Sequence, residues 1–242
     1  MEIFITADGS PTLTLRRADG YGEKMHHSGG ALSESLYIYH ATLVQALERG
    51  WPGRTLSFGL GLAYNELLAI AEFTKRDTDW KIYSFESEEF LREGFCRWLN
   101  GRPDPLTETF DTIVAMIAEK FEFTPARLKT AARDGLRDRR LELRGPFPQD
   151  AANVKNCDVV FYDAFSNKMD SSPWNEEPLV HALGECLAPN CILTTYAATG
   201  NLNRALKRLN FKLQNRPGFQ GKRESTLAVR GHSGQRPPNS LP

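Results

Sequence analysis

The chain has 242 residues, 40% of them hydrophobic, which is enough to close one sizeable core and short for two full domains. Its 30 basic and 30 acidic residues cancel, so bulk electrostatics gives no reason to expect a polyanionic partner and any nucleic-acid site has to be a local patch. The 4 cysteines form no CxxC pair and the 5 histidines have no metal-ligand spacing with them, which argues against a zinc ribbon, a dithiol centre or any metal site. No stretch approaches the roughly 18 apolar residues of a membrane span, and no basic segment leads a long apolar run at the N-terminus. The expectation is a soluble, cytoplasmic protein.

In chain order, Thr6-Ala7-Asp8-Gly9-Ser10-Pro11, the alternating run 12–16 and the glycines at 20, 22, 29 and 30 read as a β-hairpin or extended arm. Ser33 and Glu34 open a run through Leu36, Ile38, Tyr39, Leu43, Val44 and Leu47 with the spacing of an amphipathic helix, ended by Gly50 and Pro52. Residues 1–50 are therefore expected as an arm and helix packed on a core spanning 51–230.

That core opens with a strand at 55–58, a turn through Gly59-Leu60-Gly61, a helix over about 65–73 and a strand at 81–85 closed by Glu86. Strand, glycine turn, helix and strand form a βαβ unit with a right-handed crossover, hence a parallel sheet. Residues 88–134 read as helical, longer than one crossover needs, so a helical insertion is expected at about 100–135. A short strand follows at 141–143. The apolar run 158–163 is the strongest strand signal and belongs at the centre of the sheet, covered on both faces. A helix at 179–187, a strand at 191–196, a basic helix at 202–209 and a closing hairpin from 211–214 and 226–229 complete the pattern. The Gly/Ser/Pro-rich tail 231–242 is expected to be disordered.

Three features carry chemistry. Gly59 and Gly61 follow a strand and open a helix, where missing Cβ atoms let backbone amides approach a ligand; an ordinary tight turn explains a bare GxG equally well. Glu86 ends the second strand, where a carboxylate can accept both protons of a ribose diol, although a solvated strand end in an acidic stretch is the alternative. Asp163 ends the apolar strand, before Ala164, at the edge where open α/β sheets bind ligands, or else it caps a turn. Arg204, Lys207, Arg208, Lys212, Arg216, Lys222 and Arg223 run with no acidic residue between the first and last, with Phe211 and Phe219 interleaved. This suits phosphates and unstacked bases, and equally a solvated positive face. Ser166 has no GxSxG elbow and no phosphate-binding GxxxxGK[ST] occurs.

Asp163-Ala164-Phe165-Ser166 with Trp174, the ending Thr195-Tyr196-Ala197-Ala198, Asn210-Phe211 and Arg216-Pro217-Gly218-Phe219-Gln220-Gly221-Lys222-Arg223-Glu224, and the opening Asp8-Gly9-Ser10-Pro11-Thr12 and Gly29-Gly30-Ala31-Leu32-Ser33-Glu34-Ser35 together resemble the MnmC-type tRNA (5-methylaminomethyl-2-thiouridine) methyltransferases. The resemblance implies a Rossmann-like class I α/β fold and an enzyme transferring methyl from S-adenosylmethionine to the aminomethyl group of a modified wobble uridine. It places the cofactor on Gly59, Gly61, Asn65, Glu86, Asp163 and Ala164, with Asp163 also the catalytic group. It places the base against Phe165 and Trp174, and tRNA phosphates against Lys222 and Arg223. The implied partners are tRNA and a separate oxidase acting on the same base; the chain ends before a flavin domain would begin, so no flavin is expected. Ser57 stands where the family carries an acidic residue, Ala63 where it carries a third glycine, and Gly145-Pro146 where it carries Gly-Asp. The competing reading is a catalytically eroded, methyltransferase-like RNA-binding or scaffold protein. A nicotinamide dehydrogenase is disfavoured because the glycine motif lacks its last glycine.

Overall fold

The structure, a computed structural model, describes residues 1–16, 20, 22–164, 175–221 and 224–231. A seven-stranded sheet forms its centre, with spatial order β6-β5-β4-β7-β8-β10-β9. Strands β4 (Thr55–Phe58), β5 (Ile82–Phe85), β6 (Leu141–Arg144), β7 (Cys157–Tyr162) and β8 (Leu187–Thr195) are parallel; β10 (Ser225–Arg230) runs antiparallel between β8 and β9 (Lys212–Arg216). The order reverses between β4 and β7, so both strands deliver their carboxyl ends to one crevice, the usual ligand site of an open α/β sheet.

Burial explains why β7 reads so strongly. All six of its residues are buried: Val159 and Phe161 face one helical layer and Val160 and Tyr162 the other. The first layer holds α1 (Ala31–Ser35), a π-helical segment Leu36–His40, α2 (Ala41–Glu48), α3 (Tyr64–Arg76), α4 (Glu89–Leu99), α5 (Thr107–Lys120) and α6 (Pro125–Arg137). The second holds α7 (Glu176–Cys186) and α8 (Gly200–Arg208). The stretch read as a crossover plus insertion is α4, α5 and α6, which pack on one another and on α3 around Phe95, Trp98 and Phe110. They thicken the core, and α4 also lends Phe90 to the wall of the crevice.

A separate antiparallel sheet, β1 (Glu2–Ile5), β2 (Pro11–Arg16) and β3 (Gly22–Lys24), forms the N-terminal arm. The following helix starts at Ala31, two residues before the sequence signal, because its cap lies elsewhere in the chain. Gly30 offers no side-chain cap. Instead Ala31 N–H donates to Thr6 Oγ1 (3.1 Å) and Ser10 Oγ (3.0 Å), Leu32 N–H to Ser10 Oγ (3.0 Å) and Ser33 N–H to Asp8 Oδ2 (2.9 Å). The Asp8-Gly9-Ser10 turn thus satisfies the orphan donors of a helix remote in sequence.

Burial alone would raise the Asp8 carboxyl, but hydrogen bonds from Ser10, Ser33 and Thr6 outweigh it and hold the group well below the usual carboxylate range. Asp8→Ala is expected to cost about 2–3 kcal/mol, because a charge-assisted acceptor and a cap are lost together. Thermal unfolding would show it as a fall of roughly 5–10 °C. A depressed acid stabilises fully above its unfolded pKa and loses that contribution as pH falls through the folded one, so the gap between variant and native chain should close in acid, below about pH 4.

Candidate functional site

The glycine turn and the end of β7 are built against each other. Gly59, with φ of +79°, donates its N–H to Phe85 O (2.8 Å), while Asp163 N–H donates to Phe58 O (3.2 Å). A Cβ on Gly59 would lie 2.5 Å from the Asp163 carbonyl oxygen, so this glycine makes room for the neighbouring strand's backbone. Gly61, with φ of +50°, aims its N–H at Glu86 Oε2 (3.0 Å). Ala63 occupies the left-handed region (φ 62°) as α3 begins. The left-handed cost of about 1–2 kcal/mol is offset by roughly 0.8 kcal/mol from burying its methyl and by a less flexible unfolded chain than glycine would give, so alanine is tolerated there.

Glu86 is not a solvated strand end. It is buried, with Oε2 accepting from Gly61 N–H and Oε1 from Glu88 N–H (2.9 Å). Burial raises its carboxyl, against those two amides. Oε2 keeps a second lone pair for a ligand hydroxyl, while Ser87 Oγ also approaches Oε1 at 3.5 Å.

Asp163 is held from both sides: Tyr39 donates its hydroxyl to Oδ1 (2.6 Å) and Asn65 donates Nδ2–H to Oδ2 (2.8 Å). Beside it, Tyr196 donates its hydroxyl to Ala164 O (2.9 Å). Burial pushes the Asp163 carboxyl up to about 7, with the Glu34 and Glu66 charges acting the same way and the Tyr39 and Asn65 hydrogen bonds opposing. Asn65 Oδ1 is buried and has no partner among the described residues.

All six residues assigned from sequence to the cofactor, Gly59, Gly61, Asn65, Glu86, Asp163 and Ala164, line one cavity of about 1210 Å3. Phe165, Trp174, Lys222 and Arg223, assigned to base and tRNA, lie outside the described residues, as do residues 232–242 of the tail. Pro146, where the resemblance expects an acid, lines the cavity with Phe147, whose ring meets Phe58 edge-on at 4.6 Å, so that wall is apolar and aromatic. Asp150, five residues after Gly145, accepts from Gly145 N–H through Oδ2 (2.7 Å) and is not among the cavity-lining residues.

The sequence missed Tyr39, Glu34 and Tyr196. Tyr39 and Glu34 sit on the helix that was read only for packing, and Glu34 Oε2 accepts from His27 N–H (2.7 Å) at the cavity wall. The basic run also divides once folded. Arg204 and Arg208 pair with Glu176 and Glu177 of α7, and Arg216 turns inward, leaving Lys207 and Lys212 exposed. A window on 204–223 could not see the acids of another helix.

Below the glycine turn lies a second carboxyl. Ser57 and Ser84 are partners in register on β4 and β5; Ser84 donates its hydroxyl to Glu66 Oε1 (2.6 Å), while Glu66 Oε2 is buried without a partner among the described residues. Burial pushes Glu66 up to about 7, and the charge of Glu86 acts the same way. A buried acid of α3 therefore sits beside the paired serines of β4 and β5. Because the folded pKa exceeds the unfolded one, stability is full below about pH 4 and falls as pH rises toward 7. Glu66→Gln is expected to be more stable than the native chain at pH 8 by about 2–3 kcal/mol, with the difference vanishing near pH 4 in urea titrations.

No group of three or more metal-ligating side chains exists among the described residues, and none of their helices is long and apolar enough to cross a membrane. The orphaned Asn65 Oδ1 and the spare lone pair of Glu86 Oε2 suit a ligand with an ammonium at one end and a ribose hydroxyl in the middle, as S-adenosylmethionine has.

Comparison with known proteins agrees. A family model described as S-adenosyl-L-methionine-dependent methyltransferase matches residues 124–231. The bifunctional protein MnmC of tRNA 5-methylaminomethyl-2-thiouridine biosynthesis from Aromatoleum aromaticum is 26% identical over 231 residues, covering 90% of this chain and 34% of that protein. The MnmC of Cupriavidus necator is 23% identical over 238 residues, covering 94% and 34%. The chain thus spans about a third of the length of these relatives. The crystal structure of MNMC2 from Aquifex aeolicus superposes with a TM-score of 0.66 at 25% identity, covering 98% of this chain and 72% of that one. With a doubly covered, mostly parallel sheet and a glycine turn, an acid and an aspartate on one cavity, the chain has a methyltransferase-like fold and is similar along most of its length to the S-adenosyl-L-methionine-dependent methyltransferase part of MnmC.

Proposed function

We propose that this chain transfers a methyl group from S-adenosylmethionine to the amine nitrogen of an aminomethyl group on a modified wobble uridine of tRNA. The observation that carries the reading is Asp163: a carboxyl with a pKa of about 7, fixed by two side-chain donors, at the wall of the cavity that Glu86 also lines. When bound, the sulfonium supplies an activated methyl and needs no covalent help. The protein's work is then alignment and proton management. Glu86 and the Gly59–Gly61 turn would hold the nucleoside part and Asn65 Oδ1 the ammonium.

An alkylamine is mostly protonated at neutral pH, and only its free lone pair accepts a methyl. A carboxylate near 4 is a poor base for such a group, whereas one near 7 shares the proton far better. Tyr39 and Asn65 each occupy one oxygen of Asp163, which leaves further lone pairs to accept from an amine. We propose further that Phe165 and Trp174 wall the base, that Lys222 and Arg223 meet phosphates, and that a separate oxidase acts on the same base, all in the cytoplasm; the relatives' name, a bifunctional protein of tRNA 5-methylaminomethyl-2-thiouridine biosynthesis, supports tRNA as the substrate.

Methyl transfer from labelled cofactor to bulk undermodified tRNA, followed by nucleoside analysis, tests the reading. Label in 5-methylaminomethyl-2-thiouridine is the expected result; label elsewhere or none would overturn it. Calorimetry with the cofactor separates an active enzyme, which saturates, from a scaffold, which does not.

A further inference from the structure

The π-helical segment Leu36–His40 interrupts what would otherwise be one α-helix from Ala31 to Glu48. Ala41 N–H reaches back five residues to Leu36 O. One extra residue in a turn moves every later side chain by about 100° around the helix axis relative to an uninterrupted α-helix, and such segments need outside support because their backbone bonding is poorer. Here the support converges on one carbonyl. Ile38 O accepts from Thr42 Oγ1 (2.9 Å), Thr194 Oγ1 (3.0 Å) and Arg216 Nη1 (3.1 Å).

Arg216 is the organising member. Its Nη2 donates to Thr194 Oγ1 (2.6 Å), Nη1 also reaches Thr42 Oγ1 (3.4 Å) and Nε donates to Ser225 Oγ (2.8 Å). It therefore ties the π-turn to β8 and β10, and among the described residues it has no carboxylate partner. A guanidinium held in this way is costly to bury, burial lowers its pKa, and ordinary packing would not require it. The next residue after Ile38 is Tyr39, whose hydroxyl bonds Asp163. Its ring packs edge-on against Phe161 of β7 at 5.6 Å.

We propose that Arg216 is a positioning residue for Asp163, acting through the π-turn at Ile38 and the Tyr39 hydroxyl, and does not contact tRNA phosphate. The proposal deepens the methyltransferase reading, in which Asp163 serves the amine. The groups facing Asp163 are Tyr39 from the π-turn, Asn65 and Glu66 from α3, Glu34 from α1 and Tyr196 beyond β8.

The test compares Arg216→Met, Tyr39→Phe and the double variant by two readouts. The first is the titration midpoint of the Asp163 carboxyl by carbon NMR. Losing the Tyr39 hydroxyl removes a donor to the anion, so Tyr39→Phe should raise the midpoint; Arg216→Met should raise it too, and the double variant should add nothing to Tyr39→Phe. The second is steady-state methylation of tRNA. Arg216→Met should lower kcat about tenfold to a hundredfold, as misplacement of a reacting group does, with KM for tRNA and its salt dependence unchanged. Arg216→Lys, which keeps the charge but not the fork, should fall between native and Met and guards against a misfolded Met variant.

A raised KM with a shallower salt slope and an unmoved Asp163 midpoint would make Arg216 a phosphate ligand and overturn the proposal. So would additive shifts in the double variant. If the native chain methylates no tRNA, the functional reading fails alone, because the NMR arm still decides whether Arg216 sets Asp163.

Discussion

Asp163→Asn is expected to lower methyl transfer by about 10²–10⁴-fold, the range typical of losing a positioned general base. The variant should still fold. The asparagine oxygen can accept from Tyr39, and Asn65, whose Oδ1 lacks a partner, can turn its amide to accept from the new amide nitrogen. Cofactor affinity should fall only in part, since Gly61 and Glu86 remain. The pH profile is the sharper measurement. Because burial lifts Asp163 to about 7, the native enzyme's kcat/KM should rise with pH up to about 7 as the carboxylate form fills, then level; the residual activity of the variant should lack that rise. The same shift makes the ligand-free fold less stable as pH rises from about 4 toward 7, a dependence the asparagine variant should lose. Native-like turnover in Asp163→Asn, or a native profile flat across pH 6 to 8, would remove Asp163 from the chemistry.

What the sequence made legible follows from where the signal is local. The strand 55–58, the helix after it and the apolar run ending at Asp163 are written in consecutive residues buried on both faces, and they return as β4, α3 and β7. That Gly61, Glu86 and Asp163 share a crevice was legible because strand ends at a switch point must meet once the sheet is parallel, whereas Asn65, on α3, was placed there only by the family resemblance. The unread parts are long-range. The cap of α1 comes from Asp8 and Ser10, the partner of Asp163 from a tyrosine whose direction depends on a π-turn, and the neutralisation of Arg204 and Arg208 from α7. Periodicity counts residues at a fixed 3.6 per turn, so it places Tyr39 on a packing face and cannot register the extra residue that aims its hydroxyl at Asp163, at the carboxyl end of β7.

Gly59→Ala should be the most damaging single substitution in the fold of the site. The glycine lies at φ +79°, where a side chain costs about 1–2 kcal/mol, and its Cβ would meet the Asp163 carbonyl oxygen at 2.5 Å. The obstacle is backbone and cannot swing aside. Either β4 and β7 part at their carboxyl ends, weakening the bonds from Gly59 N–H to Phe85 O and from Asp163 N–H to Phe58 O, or the Asp163 peptide rotates and takes its carboxylate away from Tyr39 and Asn65. Strain and lost bonding together predict about 3 kcal/mol of destabilisation, seen as a fall of roughly 6–12 °C in Tm. Activity should drop further than stability explains, with both cofactor affinity and kcat reduced at temperatures where the variant is fully folded. Gly61→Ala is the control: the same left-handed backbone cost applies, but its Cβ meets Met25 Sδ at 3.2 Å, a flexible side chain that can yield. If both alanines cost the same, conformational strain alone explains Gly59. A larger loss at Gly59 locates the difference in the contact that joins the glycine turn to Asp163.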